Sequence, residues 1–329
     1  MNTEFNKKCC SDWAAFFVIS FVKYTLFFIF FLTAFLANGQ SLYTKAYGNS
    51  NNKPVIFIHG GPGSSSRAFE VTTAQKLASQ GLYVVLYDRR GEGLSIDKNA
   101  PYTFQQTFND LNAIYKQFNL KKATLVGFSF GGIVATLYAE KYPENIRSLV
   151  LVSALLSQPE TYKNILERSK VIYLAQNDNT NLNNIAAIEK MNPNSFEYRA
   201  SCFKHSSRNG FFSTKNQNAL AKSLYAQLES DTVYKRLSAH KTDASVLGFW
   251  KNENYSGRSI MPVLKRLQYN NVNIYALYGK DDGLFSTAQI KNLQNLIGAG
   301  QLKYLENCAH YLYTDQQTEF ISSLRQWIK

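Results

Sequence analysis

The chain has 329 residues, which is enough for one large domain with an insertion or for two domains. Hydrophobic residues make up 45% of it and charged residues 18%, a balance that excludes an intrinsically disordered chain. The net charge is +13, but Lys and Arg are spread along the chain without a basic stripe or a nucleic-acid-binding motif. We therefore expect a basic, solvated surface and no nucleic-acid partner.

The first 39 residues differ from the rest of the chain. Three lysines precede an uncharged apolar run from Tyr24 to Ala37, and small residues follow it. This order predicts a secretory signal peptide over residues 1–39, cut before Gln40, and hence an exported protein, either periplasmic or secreted. The alternative is an uncleaved anchor, in which case the same segment would make this a membrane-attached protein.

The four cysteines are Cys9, Cys10, Cys202 and Cys308. They form no CxxC pair and no metal-ligand spacing, so we predict no metal site. Removal of the first 39 residues would leave only Cys202 and Cys308. An exported protein permits a disulfide between these two, but nothing in their spacing demands one.

Short β-branched and aromatic runs alternate with helical patterns along most of the remaining chain. The runs predict buried strands at 53–60, 82–88, 123–129, 148–154, 273–279 and 301–307. Apolar residues at helical spacing predict helices at 103–118, 130–142, 287–297 and 317–328. Such alternation predicts an α/β fold, with a mostly parallel sheet flanked by helices on both faces.

The alternation stops between about Leu156 and Pro262. Strong strand runs are missing there, and apolar spacing over residues 217–237 suggests helices. We interpret residues 156–262 as a mostly helical cap inserted into a core made of residues 40–155 and 263–329. Such a cap would lie over the carboxyl ends of the strands, where open α/β sheets bind ligands.

One serine stands between a predicted buried strand and a predicted helix. Residues 127–131 read GFSFG and match G-x-S-x-G, with Ser129 at the centre. The strand–turn–helix setting is the one in which this motif forms a nucleophile elbow, whose sharp turn presents the hydroxyl at a helix N-terminus. We therefore predict that Ser129 is a nucleophile.

A serine nucleophile needs a base, and the base needs an acid that orients it. His310 follows the last predicted strand and is the candidate base in the chain order Ser…Asp…His. The acid should follow the preceding strand, where Asp281 and Asp282 are adjacent. Their side chains would point to opposite sides of an extended turn. We choose Asp282 and keep Asp281 as the alternative; the resulting triad needs no metal and no cofactor.

The motif HGGPG at residues 59–63 follows the first long strand. Its glycines would let backbone N–H groups point at a developing oxyanion, and the residue after the nucleophile, Phe130, would supply a second N–H. We name Gly61 as the first donor, with Gly60 as the alternative. His59 is expected to be structural.

The motifs HGGPG, DRRGEGLS, GFSFGG, GKDD and CAH, in this order, resemble the α/β-hydrolase fold. Within it they are most similar to the proline iminopeptidase family of serine peptidases, whose members carry HGGPG and DQRGxGxS. The resemblance spans residues 42–155 and 263–329. It implies an Ser-Asp-His hydrolase that forms an acyl-enzyme from a small amide or ester, such as a short peptide.

Two departures from that family bear on the substrate. The aminopeptidases usually carry GGSWG around the serine. Their cap also has a glutamate that holds the substrate amine, in a stretch to which residues 198–212 are the nearest match, with Ser201 in the place of the glutamate. Glu197, beside that stretch, is the candidate amine ligand here; the alternative for it is an ordinary surface glutamate. The alternatives are a carboxylesterase or lactonase of the same fold and, from another class, a non-catalytic binding protein.

Overall fold

The computed structural model describes residues 42–328. A seven-stranded sheet runs through it in the order β1-β3-β2-β4-β5-β6-β7. All neighbouring strands are parallel except β1, which pairs antiparallel with β3. The strands are β1 Thr44–Tyr47, β2 Lys53–Ile58, β3 Leu82–Tyr87, β4 Ala123–Phe128, β5 Ile146–Val152, β6 Ile274–Gly279 and β7 Leu302–Leu305.

The central strands are apolar on both faces because helices cover both sides of the sheet. Every residue of β3 and β4 is buried. This arrangement explains why the sequence shows continuous apolar runs rather than alternation. Six of the seven strands coincide with predicted runs; β1 was not predicted, because its four residues are exposed or half-buried and carry no apolar run.

Within the described part of the chain, fourteen α-helices surround the sheet, with a π-helical segment at Glu70–Ala74. The four helices predicted in the core are found with their ends shifted by one residue at most. The α-helices are α1 Arg67–Phe69, α2 Gln75–Ala78, α3 Phe104–Gln117, α4 Phe130–Lys141, α5 Gln158–Ala175, α6 Asn179–Ile188, α7 Phe196–Arg208, α8 Ala219–Ser230, α9 Thr232–Ala239, α10 Ala244–Glu253, α11 Met261–Tyr269, α12 Thr287–Ile297, α13 Leu312–Asp315 and α14 Gln317–Trp327.

Seven of these helices, α5 to α11, lie between β5 and β6, and the first six of them fall wholly within the region predicted to be a helical insertion. The two ends of the insertion meet at an isolated antiparallel bridge between Ser157 and Ser259. We refer to residues 156–262 as the cap. Within residues 42–328, no helix is long and apolar enough to cross a membrane.

The predicted signal peptide or anchor at residues 1–39 lies outside the described residues, as do Cys9 and Cys10. Cys202 and Cys308 are both buried and are not joined by a disulfide.

Candidate active site

Ser129 occupies the turn between β4 and α4. Its backbone has φ +52° and ψ −119°, a conformation that residues with a Cβ seldom adopt. The turn is held on both sides, because the Ser129 N–H donates to the Val152 carbonyl at 2.9 Å and the Gly132 N–H donates to the Ser129 carbonyl at 2.9 Å. The strain at Ser129 is therefore maintained by the surrounding backbone.

The glycines of the motif allow this turn to pack closely. A Cβ on Gly127 would lie 2.7 Å from the Gly131 carbonyl oxygen, and one on Gly131 would lie 2.1 Å from the carbonyl oxygen of Ile58 in β2. A Cβ on Gly132 would lie 2.2 Å from the Ala154 side chain. Side chains at these three positions would push the elbow away from the sheet.

His310 follows β7 and forms a hydrogen bond with Asp282, which follows β6. The distance from His310 Nδ1 to Asp282 Oδ2 is 2.8 Å, and both side chains are buried. The second carboxylate oxygen of Asp282 accepts the Leu284 N–H at 3.0 Å. A carboxylate only accepts, so Nδ1 of His310 is the donor in this hydrogen bond, and in the neutral ring the lone pair is then on Nε2. Asp281 instead accepts the Thr214 hydroxyl from the cap at 2.5 Å.

Aromatic rings place His310 beside the elbow. Its ring centroid lies 5.1 Å from that of Phe128, the residue before Ser129. On the cap side, the Phe212 ring centroid lies 5.3 Å from that of His310. The backbone N–H of His310 donates to the Phe212 carbonyl at 3.4 Å. Ser129 is only 7% exposed and His310 only 3%, so both are largely shielded from water.

The HGGPG loop follows β2 and approaches the elbow. A Cβ on Gly60 would lie 3.2 Å from the Cβ of Ser129, whereas one on Gly61 would face Gly63 and Arg89. Gly61 has φ +115°, a conformation that favours glycine. Of the two predicted donors, Gly60 is the residue that the structure places against Ser129.

Arg89 sets the orientation of this loop. Its guanidinium donates to the carbonyls of His59 and Gly60. In a trans peptide the N–H points opposite to the C=O, so the N–H groups of Gly60 and Gly61 face away from Arg89. Glu92 completes the arrangement, since it pairs with Arg89 at 2.8 Å and accepts the Gly63 N–H at 2.9 Å.

This Arg89–Glu92 pair was not identified as functional from the sequence. Both side chains belong to the DRRGEGLS motif, which served only to establish a resemblance. Both are almost fully buried, and Arg89 also lies 5.2 Å over the ring of Phe130. The sequence signal that could have identified this pair was two opposite charges three residues apart in a glycine-containing loop.

His59 is a neutral structural residue in this geometry. The backbone N–H of Arg89 donates to His59 Nε2 at 3.0 Å, so the ring proton of His59 is on Nδ1. Nδ1 donates to the Gly60 carbonyl at 2.9 Å. Burial and then the charge of Arg89 lower the pKa of His59 well below its usual value.

Glu197 does not fit the predicted role of amine ligand. It lies in the first turn of α7 with its side chain exposed to solvent. A ligand for a buried ammonium must itself be buried to exclude water, and negative charge in the first turn of a helix is stabilised by the helix dipole. The placement therefore explains Glu197 as a surface residue.

A cavity of about 490 Å³ opens beside the elbow, between the core and the cap. Phe128 and Tyr311 line it from the elbow and from the loop after His310, and Gly63 lines it from the HGGPG loop. Lys241, between α9 and α10, closes the cap side. Neither Ser129 nor His310 lines this cavity, but their chain neighbours Phe128 and Tyr311 do.

Comparison with known proteins agrees with this architecture. A family model described as alpha/beta hydrolase fold matches residues 53–316. A proline iminopeptidase of Lactobacillus helveticus is 26% identical over 307 residues, which cover 88% of this chain and 95% of that protein. One from Clostridium botulinum is 37% identical over 129 residues, but these cover only 38% of this chain and 43% of that protein.

Among solved structures, an esterase from Exiguobacterium antarcticum superposes with a TM-score of 0.60 at 20% identity, covering 89% of this chain and 97% of the esterase. At that identity the likeness concerns the fold alone. The family match spans most of the chain, and its similarity to proline iminopeptidases extends over nearly the whole core. The chain belongs to the alpha/beta hydrolase fold family and is a hydrolase.

Proposed function

We propose that this protein is a serine hydrolase that cleaves a small ester or amide through an acyl-enzyme. The observation that carries the proposal is the strained backbone of Ser129, at the edge of the sheet where the hydrogen-bonded His310–Asp282 pair also lies. Strain of this kind persists only where the surrounding structure maintains it, and it is concentrated at functional sites.

Each side chain has one task in this mechanism. Ser129 Oγ attacks the substrate carbonyl carbon while His310 Nε2 takes its proton. As the tetrahedral intermediate collapses, the bond to the leaving group breaks and His310 returns the proton to it. Water then repeats the sequence on the acyl-enzyme, releasing the acid and regenerating Ser129. Asp282 holds the His310 tautomer and stabilises the imidazolium.

Backbone donors would stabilise the oxyanion of each intermediate. Phe130 begins α4, and its N–H is one of the unpaired groups of a helix N-terminus. The peptide planes fixed by Arg89 supply N–H groups from Gly60 and Gly61. Each donor of this kind is typically worth about 10²–10³ in rate.

The charges around the site favour an ester over an aminopeptidase substrate. Binding a substrate ammonium requires a carboxylate that is free to pair with it. Every buried carboxylate of residues 42–328 already has protein partners; these are Glu70, Asp88, Glu92, Asp110, Asp282 and Asp315. The cap itself carries 14 Lys and Arg against 9 Asp and Glu, a net charge of +5.

The test is a substrate screen with the purified mature chain. We expect hydrolysis of short acyl 4-nitrophenyl esters and little release of 4-nitroaniline from prolyl-4-nitroanilide. The Ser129→Ala variant is the control for background hydrolysis and should show none above buffer. Faster cleavage of the prolyl anilide than of any ester would overturn the preference for esters, and equal rates for the parent and the variant would overturn the mechanism.

We also propose that the protein is exported, as residues 1–39 predict. Mass spectrometry of the native protein should find an N-terminus at or near Gln40. An intact Met1 in the mature protein would contradict cleavage and favour the anchor.

A further inference from the structure

The interior of the cap contains a group of buried polar side chains whose hydrogen bonding is incomplete. We call it the cap polar cluster; its members are Gln158 and Tyr162 on α5, Arg199 on α7, and Tyr255 and Ser256 in the turn that follows α10. Apart from Arg199, which is half-buried, they are at most 1% exposed. The Gln158 amide and Arg199 Nε have no hydrogen-bond partner among the described residues. The hydroxyls of Tyr162, Tyr255 and Ser256 form no hydrogen bond of ordinary geometry, but Tyr162 lies within loose reach of Ser256 and Tyr255 within loose reach of Arg199.

Such a concentration of unpartnered groups is costly in a folded protein. Most buried polar atoms are hydrogen-bonded, and each that is not costs about 1–3 kcal/mol. Here several lie together on three different elements. A polar ligand that satisfied them together would recover this free energy.

Aromatic contacts place the cluster next to the candidate active site. The Tyr255 ring lies 5.3 Å from that of Phe130, the residue after Ser129. The Arg199 guanidinium lies 5.6 Å from the Tyr255 ring and 4.8 Å from the Phe203 ring. Phe203 in turn stacks on Phe212 at 6.5 Å, and Phe212 contacts His310.

The charge of the cluster defines the ligand it can bind. Across the part of the chain that the structure covers, Arg199 forms no ion pair with a carboxylate. Arg208, on the same helix, lies 4.0 Å from Asp178. A partly desolvated guanidinium attracts a carboxylate strongly because its planar donors match the two oxygens. The tyrosine and serine hydroxyls and the Gln158 amide could donate to the same anion.

We propose that the cap polar cluster binds a carboxylate on the acyl part of the substrate, with Arg199 as its charged anchor. The inference rests on the proposed serine-hydrolase function and narrows its substrate to esters of dicarboxylic acids or similar anionic acyl groups. Arg199 is a specificity-determining residue in this account, since it contacts the far end of the acyl group and not the reacting carbonyl.

The experiment compares two esters of equal chain length, 4-nitrophenyl hydrogen adipate and 4-nitrophenyl hexanoate. The wild-type chain should have the higher kcat/KM for the adipate ester. Arg199→Gln should lower the adipate-to-hexanoate ratio of kcat/KM about 30-fold, the worth of a charge-assisted hydrogen bond of roughly 2 kcal/mol. Tyr255→Phe should lower this ratio several-fold without changing charge, and Arg208→Gln, a charge removal on the same helix, should leave it unchanged.

The outcomes separate the two proposals. Hydrolysis of hexanoate without preference for adipate, or an equal loss for both esters in Arg199→Gln, overturns the carboxylate site and leaves the serine-hydrolase function intact. Hydrolysis of neither ester, without labelling of Ser129 by a fluorophosphonate, contradicts the function itself. If Arg199→Gln fails to fold, the wild-type ratio and Tyr255→Phe decide the question.

Discussion

Replacing Ser129 by glycine should stabilise the fold relative to replacing it by alanine. Both variants lose the hydroxyl, so neither retains the nucleophile. Only glycine removes the Cβ that makes φ +52° and ψ −119° unfavourable. The comparison therefore isolates the backbone strain at the elbow from the chemistry of the side chain.

The size of the difference follows from two opposing effects. Holding a residue with a Cβ in a sparsely populated conformation costs about 1–3 kcal/mol. Glycine loses more conformational freedom on folding, which costs about 0.5–1 kcal/mol relative to alanine. We expect Ser129→Gly to be more stable than Ser129→Ala by about 1 kcal/mol in the free energy of unfolding.

Urea unfolding followed by tryptophan fluorescence measures this difference, because Trp327 is buried in the core. Ser223 provides the matched control. It is exposed in the middle of α8, where glycine should be less stable than alanine by about 1 kcal/mol. The sign of the Gly–Ala difference should therefore be opposite at the two positions. The same sign at both would refute the claim that Ser129 is strained.

Three further changes test the site. Gly131→Ala should lower the free energy of unfolding in urea by about 3 kcal/mol because its methyl would lie 2.1 Å from a carbonyl oxygen of β2, whereas Gly300→Ala, with nothing within 4 Å, should change it little. Asp282→Asn should lower kcat for an acyl ester by up to about 10⁴-fold. A larger loss from Asp281→Asn would show that Asp281, and not Asp282, is the acid of the triad. Arg89→Lys keeps the positive charge but removes the planar guanidinium that donates to two loop carbonyls. We expect kcat to fall about tenfold or more with little change in KM. A change in KM alone would argue against a role of Arg89 in positioning the oxyanion donors.

The sequence was sufficient for the parts of the molecule that local pattern determines. Continuous apolar runs identified six of the seven strands. Glycines with a serine between strand and helix identified the elbow. Chain order then placed a histidine after β7 and an aspartate after β6. Parallel strands bring these ends to one edge of the sheet, so local signals were enough to predict their proximity.

Contacts between distant segments were beyond the reach of these patterns. Arg199 and Tyr255 are 56 positions apart in the chain, and neither periodicity nor composition indicates that they meet. Glu197 was chosen because it stands beside a family-like stretch, but only the structure shows that its helix turns it to solvent. Which of Asp281 and Asp282 faces His310 likewise depends on a distant contact, because Asp281 accepts a hydrogen bond from Thr214 of the cap.

The central claim is that Ser129 is the nucleophile. Treatment of the purified protein with a fluorophosphonate, followed by mass spectrometry of its peptides, tests it most directly. The account predicts one adduct, on Ser129, that is absent from Ser129→Ala and forms much more slowly in His310→Ala. An adduct on a different residue of the wild-type protein, or labelling of Ser129→Ala at the wild-type rate, would contradict it.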